Sequence, residues 1–103
     1  MEQEPKIEKE LVLQALREKG LIEETTELVL VWTRQQELLA DQDSTGRKRL
    51  EIDLEKQDFY VAAGMIDDAL QNLVDLLEQS VAEGHDDLCA RIVTKIEEIK
   101  TLR

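Results

Sequence analysis

A chain of 103 residues, 42% hydrophobic and 36% charged, can bury one small core but leaves no room for a separate cofactor-binding domain. Four glycines and one proline are too few turn signals for a sandwich or barrel, and the lone Cys89 excludes a disulfide within the chain and argues against a cysteine-rich metal site. The net charge of −11 gathers in residues 51–87, where eleven acids face one base, Lys56, and such a surface repels nucleic-acid backbone and anionic lipid.

The expected protein is therefore all-α: a single helical domain over 1–103, soluble and cytoplasmic. No basic, apolar, small-residue leader is expected from its opening residues, and no apolar run reaches membrane length. Met1 to Glu4 read as a frayed end, and Pro5 suits the first turn of a helix because its missing N–H would be unpaired there anyway. Ile7, Leu11, Ala15 and Leu16 give this first helix a stripe, and Gly20 after Arg17 and Lys19 stops it. A second helix runs from Leu21 to Leu39 or Ala40 with Leu21, Ile22, Leu28, Val29, Trp32 and Leu39 on one side. Leu30 and Val31 lie well round from that side, so the helix needs neighbours on two sides. A second copy or a partner protein is the simplest remedy, with Leu30, Val31 and Trp32 as the interaction surface.

Asp41 to Gly46 breaks the periodicity as the main loop, and Arg47, Lys48 and Arg49 form a basic knot behind it. From Leu50 to Val81 the apolar residues recur at spacings of three and four, and Gly84 ends the run. Gly64 interrupts it, so residues 50–83 are either one long central helix or a helical hairpin. Leu88, Ile92, Ile96, Ile99 and Leu102 form the stripe of a last helix, capped by Asp86 or Asp87. The expected architecture is a bundle of three to four helices. His85 has no second histidine with which to build a metal cluster or a catalytic triad.

Two stretches resemble known families. Glu23, Glu24 and Glu27 in "LIEETTELV", followed by Glu55 and Asp58 in "DLEKQDFYV", resemble the Glu-Glu-x-x-Glu and Glu-x-x-Asp signature of MazG-like all-α nucleoside triphosphate pyrophosphohydrolases. Residues three or four apart share a helical face, so two packed helices can converge carboxylates on a divalent cation. The resemblance implies Mg²⁺ held by Glu24, Glu27, Glu55 and Asp58; on the continuous-helix reading Glu55 lies near the middle of the apolar arc and Asp58 at its edge. The stretch "YVAAGMIDDALQNLVDLL", Tyr60 to Leu77, resembles the latter half of a tetratricopeptide repeat, with Tyr60, Gly64, Ala69, Leu70, Leu73 and Leu77 at that family's preferred positions. That likeness implies a helical hairpin that binds protein or peptide. Its first half holds Asp53, Lys56 and Gln57 where large apolar residues belong, and no second copy of the repeat is present, which excludes an array.

The leading expectation is an acidic all-α interaction protein, an adaptor or regulator acting as an oligomer or on another protein, with no cofactor. The first alternative is the Mg²⁺-dependent pyrophosphohydrolase. The second is an acidic mimic of nucleic-acid phosphates that occupies a basic site on another protein.

Overall fold

The computed structural model describes residues 6–40 and 46–102. Within them the chain forms five α-helices and no strand: α1 (Lys9–Lys19), α2 (Glu23–Ala40), α3 (Arg47–Ala62), α4 (Ile66–Ala82) and α5 (Asp86–Lys100). The all-α class is as expected, but the helix number is five rather than three to four. Pro5 and residues 41–45 of the expected loop lie outside the described residues.

The fifth helix arises at Gly64. Residues 50–83 are a hairpin, because Gly64 takes φ +83° between Ala63 and Met65. Its N–H donates to the Val61 carbonyl at 3.0 Å, and the Met65 N–H donates to the Tyr60 carbonyl at 2.8 Å. This pair of bonds satisfies carbonyls the helix end would otherwise leave orphaned, and it needs a left-handed residue between them. The same turn recurs twenty residues on. Gly84 takes φ +78°, its N–H bonds the Val81 carbonyl at 3.1 Å, and the His85 N–H bonds the Ser80 carbonyl at 3.0 Å. "VAAGMIDD" and "VAEGHDDL" thus share their turn chemistry. In both, the following helix starts at once, with Asp67 and Asp68 or Asp86 and Asp87 against the positive end of its dipole.

Two cores share α3. On one side Leu50 and Leu54 pack with Ala69, Leu73 and Leu76 of α4 and Leu88, Ile92 and Ile99 of α5. On the other, Ile52 and Phe59 meet Val12, Leu13 and Leu16 of α1 and Trp32 and Ala40 of α2. A helix with two opposed apolar faces keeps its polar residues in two strips between them. Glu55 falls in one such strip, half-exposed, and not in the middle of an apolar arc, because the turn at Gly64 takes Leu73 and Leu76 onto a separate helix. Gln57 is buried between the two faces. Its amide donates to the Asp53 carbonyl at 2.8 Å and accepts from the Asn72 amide at 3.1 Å, which fastens α3 to α4.

The layers follow from this sharing. α1 and α2 cover one side of α3 while α4 and α5 cover the other, giving a slab with Cα extents of 40 × 37 × 17 Å. Arg47, at the start of α3, forms a bidentate pair with Asp87 at the start of α5, one leg of 2.8 Å. The guanidinium holds the Asp87 carboxyl down at about 2. Two further sequence expectations are corrected. The buried residues of α1 are Val12, Leu13 and Leu16, with Leu11 turned to solvent, and at the end of α2 Ala40 is buried where Leu39 is exposed.

Candidate functional site

Sequence reasoning singled out an apolar patch and a set of carboxylates, and the structure places both. α2 begins under a local cap: the Ile22 N–H donates to Thr25 Oγ1 at 2.8 Å, and that hydroxyl donates to the Gly20 carbonyl at 2.7 Å. The bond back to the residue before the helix is half of a capping box, and it fixes the direction of α2 against α1. Trp32 then points inward, 2% exposed, and stands edge-on to Phe59 with ring centroids 4.9 Å apart. It belongs to the core and not to the interaction surface. The reason is that α3 offers a second apolar face, which supplies the neighbour that α2 lacked when only one face was counted.

Leu30 stays outside, 61% exposed, and Val31 is half-buried. Leu30 forms one wall of a groove of about 170 Å³ between α2 and α3, with Val29 and Thr33 beside it and Phe59, Tyr60 and Ala63 opposite. Thr33 adds no unmet polar demand, since its hydroxyl donates to the Val29 carbonyl at 2.7 Å. Lys56 is the one charged group among the lining residues. Leu21 closes the groove at the start of α2, 46% exposed. Ala63 could have flagged this groove in the sequence, because a small residue at a helix end leaves room beside a large neighbour.

The carboxylates fall into separate settings. Glu23, Glu24 and Glu27 are exposed on α2, and Glu24 pairs with Lys19 at 3.5 Å, at the end of α1. Glu55 and Asp58 lie against Lys9 at the other end of α1, at 3.7 and 2.8 Å, and Asp58 also meets Lys95 of α5 at 3.1 Å. The two lysine positions on α1 are about 15 Å apart along the helix at 1.5 Å per residue. Burial pushes the Asp58 carboxyl up, but the hydrogen bonds from Lys9 and Lys95 outweigh it and leave the group below its usual value. These contacts line a cavity of about 480 Å³ in which Lys9, Arg91 and Lys95 balance Glu55, Asp58 and Glu98. Among the described residues no three His, Cys, Asp or Glu side chains are grouped to hold a metal ion. No described helix is long and apolar enough to cross a membrane.

Comparison with protein families, curated proteins and solved structures gives no match for this chain. The likenesses to MazG-like enzymes and to tetratricopeptide repeats therefore rest on the residues quoted for them.

Proposed function

We propose that the chain is a protein–protein interaction module that self-associates through the groove between α2 and α3. The observation that carries this reading is Leu30: a large apolar side chain left 61% exposed at the lip of an apolar groove. A projecting leucine beside a hollow lined by the smaller Ala63 and Thr33 is self-complementary, so a two-fold axis seats each copy's leucine in the other's groove. Charge allows it, because Lys56 is the charged lining residue and keeps the net charge of −11 from concentrating there.

Light scattering at micromolar concentration tests the proposal. Wild type should have the mass of a dimer and Leu30→Glu that of a monomer with unchanged helix content; a wild type that stays monomeric contradicts it. The hydrolase reading demands something else, Mg²⁺-dependent release of pyrophosphate from nucleoside triphosphates that is lost in Glu55→Gln. The pairing of Glu55 and Asp58 with lysines favours the interaction reading over it.

A further inference from the structure

The surface of α4 and α5 turned away from α3 carries apolar residues that the groove does not use. Leu70, Val74, Leu77 and Val81 follow one another at four, three and four residues, which makes a stripe three turns long on α4. Cys89, Val93 and Ile96 make the matching stripe on α5. Leu70, Leu77 and Ile96 lean on the core, whereas Val74, Val81 and Val93 are 42%, 64% and 41% exposed. The sides of these helices that face α3 are occupied otherwise: Asn72 bonds Gln57, Lys95 pairs with Asp58, and Arg91 with Glu51. Two stripes on neighbouring antiparallel helices, both turned from α3, border one shallow apolar seat.

Charge says what that seat accepts. Residues 66–100 hold nine acids against three bases, and the side towards α3 takes two of the bases, Arg91 and Lys95, and two of the acids, Asp87 and Glu98. Along the stripes stand Glu78, four residues from Val74, Glu97, four from Val93, and Asp86, seven from Val93; Lys100 is the base beside them. We propose that the α4–α5 face docks an amphipathic helix of another protein, its apolar residues at i, i+3 or i+4 and i+7 on the valine stripe and its flanks rich in Lys and Arg. A second copy of this chain is the wrong occupant, because it would set this acidic face against its own like. The surface is separate from the α2–α3 groove, so this proposal does not depend on self-association.

The test is titration of the full chain with a synthetic Leu/Lys amphipathic helix of about four turns, and with its Leu/Glu counterpart. Binding of the Leu/Lys helix should weaken as salt rises, and the Leu/Glu helix should not bind. Val74→Glu and Val81→Glu separate docking from general attraction. Each adds a negative charge, so attraction alone would tighten binding of a basic helix, whereas loss of the apolar seat should weaken it about tenfold. Leu11→Glu, at a leucine of α1 turned to solvent, adds the same charge elsewhere and should leave the Kd within about twofold. Amide shifts should move at residues 70–81 and 89–96. Absence of binding, equal binding of both helices, tighter binding by Val74→Glu and Val81→Glu, or shifts confined to the α2–α3 groove would each overturn the proposal.

Discussion

Two neighbouring residues of α2, Leu30 and Trp32, show how far a side chain's role depends on what faces it. Trp32 meets Phe59 edge-on inside the core. Trp32→Ala should cost about 3–5 kcal/mol of unfolding free energy, the range for emptying a buried aromatic site, while Leu30→Ala, at concentrations where copies do not pair, should stay within about 0.5 kcal/mol. Urea unfolding of the two variants checks this. Asp58 makes the second prediction at this scale, since Lys9 and Lys95 hold its carboxyl below the usual range. A folded value lower than the unfolded one gives stability that is complete above about pH 4 and is lost as pH falls through the folded value. Asp58→Asn should therefore lose about 1–2 kcal/mol at neutral pH, with the deficit against wild type closing below about pH 4. Thermal melts at stepped pH read both ends of that curve.

At the scale of elements, the two turns at Gly64 and Gly84 decide the helix count. Both glycines have positive φ, and a Cβ at either would meet nothing within 4 Å, so a side chain there strains only the backbone. Gly64→Ala and Gly84→Ala should each cost about 1–2 kcal/mol, and by similar amounts because the hydrogen bonds match. The sequence shows where Gly84 ends a helix because the periodicity stops there. At Gly64 the apolar spacing resumes in step with what preceded it, so a hairpin and a long helix read alike. The α5 stripe of Leu88, Ile92 and Ile99 was legible for the opposite reason: one buried face leaves a simple period. α3 hid its second face, Ile52 and Phe59, among charges, and this is why Trp32 looked homeless and Glu55 looked buried. The carboxylate set was legible as spacing alone. Its lysine partners come from α1 and α5, 49 and 37 positions away from Asp58, and no local pattern announces them.

On the scale of the whole molecule, the slab presents three surfaces of different character. A charge-balanced cavity lies between α1, α3 and α5, an apolar groove with one lysine between α2 and α3, and an acidic face with a valine stripe on α4 and α5. The first holds its charges in internal pairs, and the docking proposed above falls to the other two. The central claim, that the groove is where copies meet, is tested most directly by recording amide and methyl NMR shifts of the wild-type chain as it is diluted through the dissociation range. Leu30, Thr33, Tyr60 and Ala63 should move together with concentration while Val74 and Val93 hold still. Shifts that do not change with concentration, or that change at Val74 and Val93 instead, would contradict it.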